Sequence, residues 1–543
     1  MPNVLQRFFY TSGATPLPIG ICLIVFFLNL FNGMAITNLS SYLPKLVKTF
    51  NVSEVNTGQY AGAVSSSLSV SRIVSSIIWG FICDKFGRKT SLLWSGSGLA
   101  IATLLFGFTM SFIWTVVTRS FQGMFVGLIV ITKALIGDIT NDSNLATGLS
   151  FIFTANNIGY IIGPSMAGFL VFPADKYQKV FAKNGFFDIF KVLLPNLIIS
   201  TGLLIVLVVA AIYIPGKKRV KVKVDLLNLQ STSQILCESN SIDDNLISDE
   251  SKNLQSSRQL QCESVVSDDF DDTKSDEYPL IKDQTKITTL NKNDVRCDSV
   301  IIDTENSKPT TKYRKLLSNK IFILSTVLYG MFSMTTVAYE DMFPVFAATD
   351  IEYNGLGMTT SDIGLIYLIT GVTVIIIQFS IVNKAIDRFG SKKIFSLTTL
   401  FFSILVFLLP TMAKIKNKIG LWISLWITQC LMRTLYSTGI LCVNIFINNS
   451  VESEQLGVAN GIGSSVASIG RSIGSVVFGL AFSWSLDNVK KRLAMESSLG
   501  FPFNEYFTFI LISVSSMFVM LAAFFLPQSI NHKKTLRKSE ENK

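Results

Sequence analysis

Twelve apolar runs, each long enough to cross a bilayer, divide this chain and leave few folds open to it. A helix needs about 20 mostly apolar residues to span the hydrocarbon core. The runs fall at 19–43, 57–82, 91–111, 113–136, 146–172, 193–214, 321–346, 361–384, 394–413, 419–446, 462–485 and 503–527. The first is too long for a signal-peptide core and lacks a small-residue cleavage site, so it reads as a retained helix. Composition agrees: 49% of the 543 residues are apolar and 15% charged, against roughly 25% charged in soluble proteins. A fold in water could not hide so much apolar surface. A soluble enzyme, a secreted disulfide scaffold and a disordered regulator are all poor fits.

The net charge of +10 does not point to nucleic acid, because the bases form no patch interleaved with aromatics. They sit between the apolar runs, where they set membrane orientation. Clusters follow span 2 (Lys85, Arg88, Lys89), span 6 (Lys217, Lys218, Arg219), span 8 (Lys384, Arg388, Lys392, Lys393) and span 12 (Lys533, Lys534, Arg537, Lys538). All four fall on one side, which reads as cytosolic, and both termini fall there too. The seven cysteines form no CxxC, and His532, the sole histidine, lies in the tail. No metal site is expected.

Residues 216–319 break the pattern. They are rich in Ser and Asp and hold Phe270 alone of the 42 phenylalanines. Such a stretch cannot bury enough apolar area to fold by itself. It reads as a disordered cytosolic linker, with serines beside acids that suit phosphorylation. The expected organisation is an N-terminal tail (1–18), a six-helix half (19–215), the linker (216–319), a second six-helix half (320–527) and a C-terminal tail (528–543).

The halves repeat one another. Asp84-Lys85-Phe86-Gly87-Arg88-Lys89 follows span 2, and Asp387-Arg388-Phe389-Gly390-Ser391-Lys392 follows span 8, an offset of 303. Ile158-Gly159-Tyr160-Ile161-Ile162-Gly163 in span 5 matches Ile469-Gly470-Arg471-Ser472-Ile473-Gly474 in span 11, an offset of 311. Duplicated six-helix halves are an architecture of secondary transporters, with the substrate site between the halves near the midplane. The fold class is therefore an all-α membrane protein of twelve transmembrane helices.

These residues resemble the major facilitator superfamily. Gly80 through Lys89 is similar to its loop signature after helix 2, and Arg119-Ser120-Phe121-Gln122-Gly123 to its helix-4 signature. Gly159, Gly163, Pro164 and Gly168 resemble the helix-5 signature of its drug:proton antiporters, with Ala167-Gly168 where two glycines are usual. A narrower resemblance is to the zinc-induced-facilitator-like branch. It rests on Arg72, Lys133-Ala134, Pro173-Ala174-Asp175-Lys176-Tyr177, Ala338-Tyr339-Glu340-Asp341-Met342-Phe343 and Phe482-Ser483-Trp484-Ser485. The Cys signature and His-rich loop of that branch are not seen, so a zinc-linked role is not carried over.

The candidate site follows from charge and polarity inside the spans. Ionisable groups at membrane depth usually face the bundle interior or a water-filled cavity. Arg72, Lys133, Arg433 and Arg471, with the polar Asn29, Asn32, Asn156, Asn157 and Gln378, are the candidate cavity residues. Glu340 and Asp341, the acids of span 7, are the candidate proton carriers, since burial can raise a carboxyl pKa toward ambient pH. At the cytosolic side, Gly80 is expected to let helix 2 pack closely, and Asp84 to meet a helix N-terminus. Arg88 and Lys89 are expected to pair with Asp138 or Asp142. Lys85, Gly87, Asp387, Arg388 and Gly390 complete this gate. Arg119 and Gly123 form the helix-4 element. Gly159, Gly163, Pro164 and Gly168 are read as a pivot, because the glycines allow close backbone approach and the proline kinks the helix.

Cations outnumber acids in this inventory, which suits an anionic or zwitterionic organic solute. The reading is a monomeric secondary carrier working by alternating access. It is expected to be a proton-coupled antiporter with no catalytic chemistry, no cofactor and no nucleic-acid partner. No Walker A signature is seen, so ATP is not expected to drive it. A proton-independent uptake facilitator and a transporter-fold sensor are the alternatives. The plasma membrane, the vacuole and other endomembranes remain open as locations, and Asn51-Val52-Ser53 is a glycosylation acceptor in an outer loop.

Overall fold

The computed structural model describes residues 18–140, 145–214, 316, 318–377, 382–451 and 455–531. The expected linker and both tails lie almost wholly outside the described residues. Twelve long helices run through the described chain: α1 (Ile19–Thr37), α2 (Thr57–Phe86), α3 (Arg88–Gly107), α4 (Phe112–Phe125 and Leu128–Ile139), α5 (Leu145–Leu170) and α6 (Leu193–Tyr213), then α7 (Lys320–Ala348), α8 (Thr360–Ile377), α9 (Ser391–Leu408), α10 (Lys418–Ser450), α11 (Leu456–Leu493) and α12 (Phe507–Phe524). Counting α4 and its break as one, nine spans among the described residues are long and apolar enough to cross a membrane. α2 and α5 are more polar, and the apolar part of α8 is shorter. Large apolar side chains such as Phe81, Ile113, Val208, Ile212 and Phe518 stand exposed around the bundle. In water they would be a liability; in lipid they are the expected surface.

The duplicated loop adopts one backbone solution twice. Gly87 (φ 87°) joins α2 to α3, and Gly390 (φ 81°) precedes α9. A single residue at positive φ reverses a helix cheaply only as glycine. Both turns lie at the same end of the bundle, here called the basic end. The opposite end carries the α1–α2, α5–α6, α7–α8 and α11–α12 connections and is called the far end.

Span 4 differs from its expected single helix. It breaks between Phe125 and Leu128, because neighbouring side chains take three successive carbonyls. Ser75 Oγ donates to Gly123 O (2.9 Å), Trp79 Nε1 to Met124 O (2.7 Å) and Ser95 Oγ to Phe125 O (2.9 Å). The carbonyls of Gly123 and Met124 would otherwise serve the amides of Gly127 and Leu128. Gly127 then lies flat on the Trp79 indole, where a Cβ would come within 2.4 Å of Cγ. Other helix edges also move. α10 and α11 run several residues beyond the expected 419–446 and 462–485, and α8 is regular only to Ile377.

Within each half, glycines bring helices into contact. A Cβ on Gly159 would lie 2.3 Å from Leu30 O, and one on Gly163 would lie 2.9 Å from Met34 Cα, so both pack α5 against α1. Gly470 and Gly474 do the same for α11 against α7. Two seams join the halves. In one, Gly62 of α2 faces Ser475 O of α11, 2.1 Å from a built Cβ. In the other, Gly168 of α5 faces Gly364 of α8, 2.7 Å from Cα. Lacking a hydrophobic drive in lipid, helices associate through such close packing. Of the helix-5 glycines, Gly168 therefore makes the contact across the halves, while Gly159 and Gly163 work inside the first.

Candidate functional site

Between the halves lies a cavity of about 100 Å³. The end of α1 contributes Ile36 and Thr37, and the segment after it Leu39, Ser40 and Leu43. α2 contributes Ser65, Leu68, Ser69 and Arg72, α4 Arg119, and α5 Tyr160. The second half contributes Val337, Glu340, Asp341 and Pro344 from α7, Tyr436 from α10 and Arg471 from α11.

Arg119 works on the scaffold. α1 stops at Thr37, leaving its last carbonyls without helical donors. The buried Arg119 guanidinium donates to Ala35 O (3.3 Å) and to Ile36 O, and reaches Gln122 Oε1 at 2.7 Å. Gln122 continues the chain to Thr103 (3.2 Å). Gly123 admits α2, where a Cβ would sit 2.4 Å from Leu68 O. The helix-4 element thus holds α1, α2 and α3 in place around the cavity.

The two acids have different partners. Glu340 Oε1 pairs with Arg433 Nη1 at 2.8 Å, and Arg433 lies over the Tyr367 ring at 5.7 Å. Asp341 instead accepts from the Ser475 hydroxyl of α11, and it shares the cavity wall with Ser65 of α2. It sits where α2 and α11 meet, at the Gly62 seam. Among the described residues, Arg72 and Arg471 take part in no ion pair, and Arg471 Nε is buried without a partner. One comes from each half, and both face the cavity.

Several expected cavity residues stand elsewhere. Asn29 Nδ2 is taken by Val25 O (2.8 Å) and Thr132 Oγ1 (3.1 Å), and Asn32 by Asn156 (3.2 Å). These asparagines join α1 to α4 and α5 instead of lining the cavity. Lys133 Nζ lies 4.7 Å from the Phe153 ring centroid, Asn157 is exposed, and Arg433 lies behind Glu340. Gln378 falls outside the described residues. Tyr160, Tyr436, Ser65, Ser69 and Ser475 were not singled out from the sequence. For Ser475 the signal was present in the spacing of Ser465, Ser468, Ser472 and Ser475, which puts four hydroxyls along one side of α11.

At the basic end, Arg88 Nε and Asp138 Oδ2 are 2.9 Å apart, and Arg88 Nη1 reaches Cys83 Sγ at 3.3 Å. Lys85 is exposed above the Phe86 ring (5.5 Å), and Lys89 is partly exposed. Arg388 is exposed over Phe389 at 5.5 Å. The expectation for Gly80 is corrected: no atom lies within 4 Å of a Cβ built there, so it packs no neighbour in this state. The side chains of Asp84 and Asp387, and all of Asp142, lie outside the described residues.

The far end is closed by contacts between the halves. Lys48 Nζ pairs with Glu54 and lies 3.9 Å from Asp350 Oδ1 in the α7–α8 connection. Glu54 Oε1 accepts the Asp350 amide at 3.3 Å. Lys176, after α5, donates to Gly168 O and to Thr360 Oγ1 (2.9 Å) at the start of α8, and Ser361 Oγ reaches the same Gly168 carbonyl at 3.3 Å. Burial and then repulsion from Lys45 bring the Lys176 amine down to about 8, with Asp175 and Asp362 acting the other way. A lysine released to water titrates near 10.4. The closed contact therefore holds fewer protons than the open one and is favoured as pH rises from about 8 to about 10. Below that window its pH dependence is flat. Spin-label distances across the far ends of α5 and α8 should shorten in that window, and Lys176→Met should remove the response. Lengthening with rising pH would contradict the assignment.

The Major Facilitator Superfamily model matches residues 25–475 and 321–542. Protein ZINC INDUCED FACILITATOR-LIKE 1 of Arabidopsis thaliana is 27% identical over 499 residues, covering 92% of this chain and 89% of its own length. Major facilitator superfamily multidrug transporter mfsB of Aspergillus fumigatus is 23% identical over 504 residues, covering 90% and 83%. The crystal structure of a D-xylose-proton symporter superposes with a TM-score of 0.63 at 14% identity, covering 95% of this chain and all of that one. The helices, their duplicated turns and the cavity between the halves agree with these matches, and the chain belongs to the Major Facilitator Superfamily, a family of multi-pass membrane transporters that move solutes without enzymatic chemistry.

Proposed function

We propose that this transporter is a proton-coupled antiporter that exports a small organic anion or zwitterion by alternating access, with its basic end in the cytosol. The observation that carries this reading is the charge balance of the cavity. Glu340 is neutralised by Arg433, and Asp341 is held by the Ser475 hydroxyl. Arg72 and Arg471 face the cavity without an acid among the described residues. Holding two unpaired guanidiniums at membrane depth is costly, and a carboxylate or phosphate on the solute is the natural complement. Hydroxyls and the Tyr160 and Tyr436 rings would take the rest of a small molecule. The multidrug relative supports an efflux direction, and Asp341 supplies a carboxyl that no cation among the described residues neutralises by direct pairing. The protein would act as a monomer, with the proton gradient as its sole driving force and no cofactor. The segment 216–319 would connect the halves on the cytosolic side.

The test is a screen in proteoliposomes carrying a pH gradient, with a radiolabelled dicarboxylate, a zwitterionic amino acid and a quaternary ammonium. The expected result is gradient-driven accumulation of the first or second and exclusion of the third. Equal transport of anion and cation would defeat the charge assignment. Movement indifferent to the pH gradient would replace the antiporter with a facilitator. Binding without counterflow would identify a sensor.

A further inference from the structure

Proline removes a backbone donor, so a proline inside a helix frees the carbonyl four residues before it. Pro164 therefore leaves the Tyr160 carbonyl of α5 without its helical partner. At membrane depth a freed carbonyl needs another donor. The donor here is Arg433 Nη2 of α10, from the opposite half, at 3.2 Å. The same guanidinium pairs through Nη1 with Glu340, and Glu340 lines the cavity. One planar group thus joins a cavity acid to the kink of α5, with two donors of the fork pointed at two acceptors. Further along α5, Gly168 makes the seam with Gly364 that closes the far end.

We propose that Arg433 is the positioning residue that couples the cavity to the far-end gate, using the carbonyl that Pro164 sets free as its handle on α5. While Glu340 is charged and unoccupied, it orients Arg433 onto Tyr160 O, and α5 stays drawn toward the second half. When a proton or the solute's own charge disengages Glu340, the fork turns, the carbonyl loses its donor and α5 is released. The proline of the helix-5 signature then has a chemical task besides bending: it exposes an acceptor to the other half. This inference rests on the alternating-access reading.

The test measures how fast a cysteine at Ser40, in the cavity wall, reacts with a membrane-impermeant maleimide added from the far side. The four described cysteines of the chain are buried, and the protein without Ser40→Cys supplies the background. Pro164→Ala restores an amide to Tyr160 O without altering any charge, and is expected to raise the labelling rate about tenfold, the size of one charge-assisted hydrogen bond. Arg433→Lys keeps a cation for Glu340 but cannot fork to both acceptors, and is expected to raise it similarly. The double variant should label no faster than either single one. Unchanged labelling in Pro164→Ala, or effects that multiply in the double variant, would overturn the inference. If Arg433→Lys fails to purify as a monodisperse species, Pro164→Ala alone decides. If Ser40→Cys reacts from neither side of the membrane in turn, alternating access itself fails. If it reacts but ignores both variants, only the coupling role fails.

Discussion

Asp341→Asn is expected to abolish accumulation of solute against its gradient while leaving solute exchange between the two sides intact. The reason lies in what holds the carboxylate. Ser475 of α11 donates to Asp341, so the ionised acid ties α7 to α11 where α11 meets α2. A hydrogen bond to a charged group contributes about 1.5–3 kcal/mol. Protonation cancels the charge and weakens this tie beside the α2–α11 seam. Asparagine keeps the shape of the protonated acid but cannot take up or release a proton. The carrier would cycle with its load yet draw no work from the pH gradient. Glu340→Gln should behave differently, because it strips Arg433 of its counter-ion at membrane depth. The pair is half-buried at the cavity wall, so folded protein with slowed transport is expected. The measurement compares gradient-driven uptake with counterflow in the same vesicles. Asp341→Asn protein that still accumulates solute on a pH gradient would remove Asp341 from the coupling role.

The sequence carried the frame of this molecule further than its interior. Apolar run length and the doubled Asp–Gly loop were enough for the twelve helices and their pairing into halves, because lipid forces each span to satisfy its own backbone. Glycine spacing marked α5 and α11 as close-packing helices, but not which neighbour each glycine meets; Gly159 and Gly168 turned out to face opposite partners. The break in α4 was not legible, since it depends on Ser75, Trp79 and Ser95 reaching in from two other helices. Polarity was a poor guide to the cavity for the same reason. Asn29 donates to Val25 O and Thr132, and Asn32 donates to Asn156, so these amides are spent on joining helices and not on the cavity. The arginines were better markers, because a guanidinium has more donors than a helix interior readily supplies.

That distinction sets the largest effect on recognition. Arg72→Gln and Arg471→Gln are each expected to weaken binding of an organic anion by about ten- to hundredfold, the cost of losing a charge-assisted contact in a desolvated site. The two positions belong to opposite halves and face one cavity, so an anion seated between them touches both halves at once. Each substitution should therefore also slow the step in which the loaded carrier changes face. Among the described residues, the double variant leaves on the cavity wall the unpaired Asp341 and Arg119, whose guanidinium is taken up by α1 carbonyls, since Glu340 stays paired with Arg433. Its preference should move from anions toward cations, and competition between anionic and cationic analogues of one scaffold reads this directly. Purely structural arginines would lower the amount of folded protein and leave the ratio of the two inhibition constants unchanged. A ratio that does not move in correctly folded double variant would mean that these guanidiniums hold helices together and that the solute is recognised elsewhere.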